Sequence, residues 1–93
     1  MYFCHCSQCR KNFGLYGAFA GVNRDAFAVD SAKKLRSYKS SKSTTRTFCG
    51  ACGSPISWDR KGFENIYVLM GALDGKIRTS GAKHIHVKDK GGY

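Results

Sequence analysis

The sequence predicts a small, mainly β domain built from short antiparallel strands. Segments of β-forming residues, separated by glycine and polar turns, follow one another along the 93 residues. No segment shows the apolar spacing of an amphipathic helix. So short a chain has a marginal hydrophobic core and is expected to need a further stabilising feature. Its five cysteines fall in two tight clusters, which could stabilise the domain by binding a metal ion. We therefore expect a mainly β fold with one short helical turn, stabilised by a metal ion.

The first elements surround the first cysteine cluster. Residues 1–3 are predicted to end a strand that delivers Cys4 into a metal-binding loop. A helical turn over residues 7–12 begins with a serine as N-cap and is stopped by Gly14. The apolar stretch over residues 15–22 carries glycine and alanine between its larger side chains, which favours a strand packed closely against another backbone.

The middle of the chain is predicted to form strands that lead to the second cysteine cluster. A short strand is expected over residues 27–29, after a group of turn-forming residues. Alternation over residues 35–39, with charged side chains, predicts an edge strand, and residues 40–43 form a polar hairpin tip. Residues 44–48 are rich in β-forming side chains. We therefore expect a hairpin whose second strand ends at a pair of cysteines.

The last part of the chain is predicted to contain the central strand. Pro55 is expected to end the ladder on its side, and residues 56–58 alternate between inward and outward positions. Residues 65–70 form the most continuous apolar stretch, which indicates a strand in the middle of the sheet. Residues 84–88 give a final β segment. Neither an internal repeat nor a linker is visible, which predicts one domain over residues 1–93.

The chain is strongly basic, with a formal net charge of +10 from 16 Lys and Arg against 6 Asp and Glu. Such a surface attracts anions, whether nucleic acid, acidic lipid or a small carboxylate substrate. The basic residues are scattered, however, and their densest run, residues 33–42, is more typical of a solvated turn than of a nucleic-acid patch. Nucleic acid is therefore a partner that the sequence permits but does not favour.

Nothing in the sequence indicates a membrane or secretory protein. No apolar run approaches the roughly 20 residues that span a bilayer, and the first residues lack the charged and apolar regions of a signal peptide. An odd number of cysteines also argues against a full set of disulfides. We expect a cytoplasmic protein whose thiols stay reduced.

The five cysteines form a C-x-C-x-x-C cluster, Cys4, Cys6 and Cys9, and a C-x-x-C cluster, Cys49 and Cys52. A metal ion needs several thiolates converging at about 2.3 Å from one point, and both spacings present their sulfurs on tight turns. Disulfides are the alternative, but neighbours in C-x-C cannot pair without strain. In a reducing compartment such patterns more often bind metal, so metal is the favoured interpretation.

Each cluster predicts a different kind of site. Three ligands from the first cluster would leave one tetrahedral position open, as in catalytic zinc sites. The second cluster forms a zinc knuckle that needs further ligands to close a structural site. A redox dithiol is disfavoured there, because a proline and a strand follow the knuckle instead of a helix. Arg10 and Lys11 follow the first cluster and would offset its negative charge. Two alternatives stay open: both clusters share one four-cysteine zinc, or His5 joins the first cluster.

Three strings of residues carry a resemblance to a known family: Cys4-His5-Cys6-Ser7-Gln8-Cys9-Arg10-Lys11, Gly17-Ala18-Phe19, and Phe48-Cys49-Gly50-Ala51-Cys52-Gly53-Ser54-Pro55. In their order they resemble the glutathione-dependent formaldehyde-activating enzyme family, which also includes centromere protein V. The match extends through residues 24–27, Tyr38, residues 71–74 and residues 84–85, so it covers nearly the whole chain. The resemblance implies an all-β fold of the Mss4-like type and zinc binding by cysteines. For the enzyme that names the family, it implies the joining of glutathione and formaldehyde into S-hydroxymethylglutathione.

The resemblance also implies roles for individual cysteines. Cys4, Cys6 and Cys9 match the family's catalytic zinc ligands, and the knuckle cysteines match half of its structural zinc site. The other half is a C-x-C on a strand that would precede the first residue and is not among the 93 residues. We therefore expect one zinc-binding domain of this family over residues 1–93, N-terminally truncated, with one or two zinc ions. A second copy of the chain could complete the structural site or pair with the exposed sheet edge.

Two functions compete at this point. The first is a zinc-dependent carbon–sulfur lyase-type enzyme that uses a small thiol such as glutathione. Zinc would lower the pKa of the thiol, and the thiolate would attack the aldehyde carbon. No general base is evident, and His84 and His86 are candidates by residue type only. The second is a non-catalytic zinc-binding module that contacts nucleic acid or another anionic partner, although no groove-entering helix or stacking platform is recognisable. We favour the enzyme.

Overall fold

The computed structural model describes residues 1–30 and 32–93, and this part of the chain contains one seven-stranded sheet and one α-helix. Across the sheet the strand order is β3-β4-β5-β6-β2-β1-β7. The strands are β1 (Tyr2–Cys4), β2 (Gly17–Asn23), β3 (Leu35–Ser41), β4 (Thr44–Cys49), β5 (Pro55–Arg60), β6 (Asn65–Leu69) and β7 (Lys83–Ile85), and the helix is α1 (Ser7–Phe13). Short 3-10 turns lie at Arg24–Ala26, Ala32–Lys34, Met70–Ala72 and Val87–Asp89.

The mainly β class predicted from the sequence is confirmed. Neighbouring strands are antiparallel except β1 and β7, which run parallel. The apolar stretch predicted as the central strand is β6, which lies in the middle of the order, and the charged strand predicted for an edge is β3. The local sequence pattern was sufficient to place these two strands. A strand that is buried on both faces is continuously apolar, whereas a strand at an exposed edge carries charged residues.

Several sequence predictions about individual elements are wrong. Residues 27–29 form no strand, because Phe27 caps the preceding 3-10 turn and no partner strand lies alongside. Pro55 was expected to end the pairing between strands, but it is the first residue of β5. The register between β4 and β5 shifts next to it, so the sheet does not need the backbone N–H that proline lacks. The final strand ends at Ile85, since His86 adopts a left-handed conformation (φ 56°) and starts a 3-10 turn. The first strand β1 is paired on both sides, with β2 and β7, so the edge strands of the described sheet are β3 and β7.

The helix begins one residue earlier than the sequence predicts. Cys6, not Ser7, is the N-cap, and its Sγ accepts a hydrogen bond from the backbone N–H of Cys9. At the other end Gly14 takes a left-handed conformation (φ 84°) and donates its N–H to the Arg10 carbonyl. The helix is therefore started by one of the candidate metal ligands and stopped by the predicted glycine.

Buried side chains lie on both faces of the small sheet: Ile66 and Val68 alternate with Tyr67 on β6 and point to one face, and the hydrophobic cluster that contains the cysteines lies on the other face. Register places Tyr2 beside Phe19, and Arg46, Trp58 and Tyr67 in one row, so these side chains share that face. The helix covers part of it, with Phe13 edge-on to Phe19 at 6.1 Å between ring centroids. The buried cluster there includes two of the cysteines and Phe19. The cysteine cluster is therefore part of the hydrophobic core.

Candidate metal centre

The fold brings Cys4, Cys6 and Cys9 together. Cys4 ends β1, Cys6 caps the helix and Cys9 lies in its first turn, and all three Sγ atoms lie within 4.8 Å of one another. In a tetrahedral zinc site with Zn–S bonds of about 2.3 Å, neighbouring sulfurs are about 3.8 Å apart. Cys4 and Cys9 are buried, and Cys6 is half-buried. The arrangement fits a metal ion held by three thiolates.

The sulfurs take part in hydrogen bonds with a backbone N–H group, with Arg46 and with one another. The Cys9 N–H points at Cys6 Sγ at 3.4 Å, and Arg46 Nη2 donates to Cys9 Sγ at 3.6 Å. Cys4 and Cys9 also share a hydrogen bond, which lowers the pKa of Cys4 and raises the pKa of Cys9. Burial raises the pKa of Cys9 further, whereas Arg46 lowers it. Without a metal ion, the shared hydrogen bond therefore makes Cys4 the more easily ionised thiol of the pair.

Arg46 is the cation of this site, and sequence reasoning missed it. Its side chain is only 7% exposed, contacts Cys9 and donates to the Gln8 side-chain oxygen at 3.4 Å. The expected cations, Arg10 and Lys11, form no hydrogen bond to sulfur in the described part of the chain, and Lys11 is exposed. The available signal is positional: Arg46 lies two residues after the buried Thr44 on β4, so both side chains point to the same, buried face. A buried guanidinium without a counter-charge is costly, so its burial here points to negative sulfur.

The sulfurs lie in the wall of a cavity of about 440 Å³. Aromatic rings form much of the opposite wall, in edge-to-face contacts of 5.9 Å between Tyr2 and Tyr67 and 5.6 Å between Trp58 and Tyr67. The volume is in the range of sites that hold small organic ligands. The lining residues with polar groups besides the cysteines include Gln8, Ser40, Ser41, Thr44, Arg46, Arg60 and His86.

The second cysteine pair is separate from the first. Cys49 ends β4 and Cys52 lies in the following turn, where Gly53 (φ 82°) donates its N–H to the Cys49 carbonyl at 2.7 Å. The Ser54 hydroxyl lies 3.1 Å from Cys52 Sγ and lowers the pKa of that thiol. Among the described residues, the group of close ligand atoms contains neither knuckle cysteine. The alternative in which both clusters share one ion is therefore not the arrangement of this fold.

The three histidines have different surroundings in the fold, and only one of them lines the cavity. His5 Nε2 lies 2.8 Å from His84 Nδ1, and the His5 ring packs against Tyr16 at 5.1 Å between centroids. His5 is not part of the group of close ligand atoms, so it does not join the cysteines. His84 is engaged with His5, whereas His86 lines the cavity. Of the two histidines considered as candidate bases, His86 is therefore the one that lines the cavity.

A comparison with protein families decides what kind of protein this is. The family model described as glutathione-dependent formaldehyde-activating enzyme matches residues 1–89. The chain belongs to the glutathione-dependent formaldehyde-activating enzyme family. Searches of curated proteins and of solved structures gave no match. The Mss4-like assignment of the sheet stays a prediction.

Family membership agrees with the residues that the cavity brings together. The cysteines that the sequence identified as the catalytic cluster are the three that the fold places in the wall of the cavity of about 440 Å³. In the described part of the chain, no helix has the length and apolar character needed to cross a membrane.

Proposed function

We propose that this protein is a zinc-dependent carbon–sulfur lyase-type enzyme that joins a small thiol such as glutathione to formaldehyde. The observation that carries the proposal is the convergence of Cys4, Cys6 and Cys9 on the wall of a ligand-sized cavity. The family match supports the same chemistry. A purely structural metal site would be closed by a fourth ligand from the protein, whereas three ligands facing a cavity suit a catalytic site.

Cys4, Cys6 and Cys9 would hold the zinc ion. When bound, zinc supplies a Lewis acid that lowers the pKa of an incoming thiol. The charges of the protein match this role: three thiolates and a divalent cation sum to −1, and Arg46 brings the buried site to zero. A near-neutral site avoids the large desolvation cost of an uncompensated buried charge.

The chain's own residues can guide the reaction in the cavity. Tyr2, Trp58 and Tyr67 give the cavity an aromatic wall against which a bound thiol and aldehyde can pack. As the C–S bond forms, the carbonyl π bond of formaldehyde breaks and its oxygen takes a proton. His86 lines the same cavity, so a neutral imidazole there can accept the thiol proton and return it to that oxygen. The thiol and formaldehyde together contain every atom of the hydroxymethyl product.

The proposal is tested with zinc-loaded full-length chain, glutathione and ¹³C-formaldehyde. The rate of adduct formation, measured by NMR exchange spectroscopy, should exceed the rate of the uncatalysed reaction. Cys9→Ser should abolish the acceleration, and native mass spectrometry should show that it loses one zinc ion. The double variant Cys49→Ser and Cys52→Ser should retain the zinc held by the first cluster, because the two clusters are separate. A rate equal to that of glutathione and formaldehyde alone at millimolar concentrations would contradict the enzyme.

A second candidate, contact with an anionic polymer, is supported by one feature of the surface. Lys39, Lys42 and Lys61 line a cavity of about 370 Å³ at two hairpin tips, which are joined by a hydrogen bond from the Lys61 N–H to the Ser43 carbonyl at 2.9 Å. Fluorescence anisotropy with duplex DNA would test this candidate. Replacement of the three lysines by glutamine should reduce the salt dependence of DNA binding. An unchanged salt dependence would remove the candidate.

A further inference from the structure

The cavity of about 440 Å³ has the cysteine sulfurs at one end and a group of polar side chains without sulfur at the other end. Register aligns Ser41 with Thr44 and Thr44 with Arg60, so three polar side chains lie in one row across β3, β4 and β5. Residues directly opposite one another in a sheet point to the same face, and all three line the cavity. This row is called the polar row below.

A β-bulge adds a fourth polar group. The register of β3 and β4 shifts between Lys39 and Ser41, which leaves Ser40 as the extra residue. The Ser40 carbonyl accepts a hydrogen bond from Gln8 Nε2 at 3.2 Å, and Ser40 is one of the residues that line the cavity. The Ser40 hydroxyl is buried and has no hydrogen-bond partner among the described residues. A buried hydroxyl without a partner is uncommon, and a ligand oxygen in the cavity would satisfy it.

Arg60 brings a positive charge that the protein does not neutralise. The ion pair found in the described part of the chain joins Arg24 to Asp59, the residue next to Arg60. Asp59 aligns with Thr45, so it points to the opposite face of the sheet. No aspartate or glutamate is among the described residues that line the cavity. The Arg60 guanidinium carbon lies 5.5 Å from the centre of the Phe63 ring, and the exposed side chain forms no ion pair among the described residues.

We propose that the polar row and Ser40 bind a carboxylate of the thiol substrate, with Arg60 as its ionic partner. The inference rests on the proposed function and specifies its substrate class: thiols that carry a carboxylate. Thr44 in the polar row and Arg46 beside the sulfurs are two residues apart on β4, a rise of about 7 Å. A molecule that reaches both ends therefore needs its carboxylate several bonds from its sulfur.

The same spacing separates substrate recognition from the chemistry. Arg60 would contact the substrate far from the reacting sulfur and carbon, so it contributes equally to the bound substrate and to the transition state. Loss of such uniform binding raises KM and leaves kcat nearly unchanged. Arg60 is therefore a specificity-determining residue in this proposal.

The test compares glutathione with glutathione diethyl ester, in which both carboxylates are neutral. Arg60→Gln removes the ionic partner, and Arg36→Gln is the matched control, because Arg36 lies toward the other end of β3 and does not line the cavity. Binding to zinc-loaded protein is measured by calorimetry, and adduct formation gives KM and kcat. Arg60→Gln should weaken glutathione binding and raise its KM by about tenfold or more, as expected for a charge-assisted hydrogen bond, with kcat within about twofold.

The ester provides the decisive comparison. Arg60→Gln should leave binding of the diethyl ester within about twofold, and Arg36→Gln should leave both thiols unaffected. An equal effect of Arg60→Gln on acid and ester, or no effect on either, would overturn the carboxylate site while leaving the enzyme in place. Preferential binding of glutathione without catalysed adduct formation would support the carboxylate site and overturn the proposed reaction instead. Thermal melting of each variant shows whether it is folded.

Discussion

Replacement of Arg46 by methionine gives the sharpest test of the metal centre. Arg46 Nη2 lies 3.6 Å from Cys9 Sγ, and the side chain is 7% exposed. Methionine keeps much of the volume and removes the charge. At an effective dielectric constant of about 20, a unit charge 3.6 Å from a thiolate contributes about 5 kcal/mol of attraction. Part of this is offset by the cost of removing the guanidinium from water.

The expected net effect on zinc binding is therefore smaller than the direct attraction. We expect Arg46→Met to weaken zinc binding by about 10- to 100-fold, which corresponds to about 1.4–2.8 kcal/mol. The effect on the zinc-free protein should be absent or opposite in sign. In the zinc-free protein the pKa of Cys9 is raised, so Arg46 contacts a protonated thiol, its Nε has no partner among the described residues, and methionine removes the cost of burying the guanidinium.

Two measurements distinguish these effects. Competition with a chromophoric chelator gives the zinc affinity, and urea unfolding with and without excess zinc gives the two free energies of unfolding. Arg10→Met is the control, because it makes the same change of charge in a residue that forms no hydrogen bond to sulfur in the described part of the chain. Equal destabilisation of zinc-loaded and zinc-free protein by Arg46→Met, or an equal loss of zinc affinity in both variants, would refute the assigned role of Arg46.

Two further predictions concern stability. Gly17→Ala should lower the free energy of unfolding by about 1–3 kcal/mol in urea, because a Cβ there would lie 2.5 Å from a Phe19 ring carbon and 2.7 Å from one of Phe13. Gly71→Ala meets nothing within 4 Å and should change it by less than about 0.5 kcal/mol; equal effects would contradict this packing. Asp59→Asn should reduce stability near neutral pH, since hydrogen bonds from Arg24 lower the pKa of Asp59. That contribution is present above the unfolded pKa of about 3.9 and is lost as the pH falls through the lower folded value, so wild type and variant should converge in acid. A gap in thermal stability that stays constant down to about pH 2 would contradict this assignment.

The strands that the sequence located correctly are those whose residue types depend on how deeply the strand is buried. The continuous apolar stretch of β6 and the charged alternation of β3 follow from burial at the centre of the sheet and exposure at its edge. The strand expected over residues 27–29 has suitable residue types but no partner strand alongside. Strand formation needs a neighbour, and a local sequence pattern does not specify one.

The helix start is an intermediate case. Gly14 was recognised as the stop because its left-handed conformation is a property of glycine itself. The start was placed at a serine, the usual capping residue, although a cysteine one position earlier takes the role. The sulfur caps the helix because the three thiols converge there, and the convergence is a property of the folded chain.

The sequence by itself determined the class of the fold, the family and the cysteines of the candidate metal centre, because close spacing along the chain forces side chains to be neighbours in space. Only the tertiary structure decided which cation faces the sulfurs, which histidine lines the cavity and which polar groups form its far end. Arg46, His86 and Arg60 lie far from the first cysteine cluster in the sequence, and strand order and register bring them to one cavity. Long-range pairing sets these contacts, and no local pattern of residues encodes it.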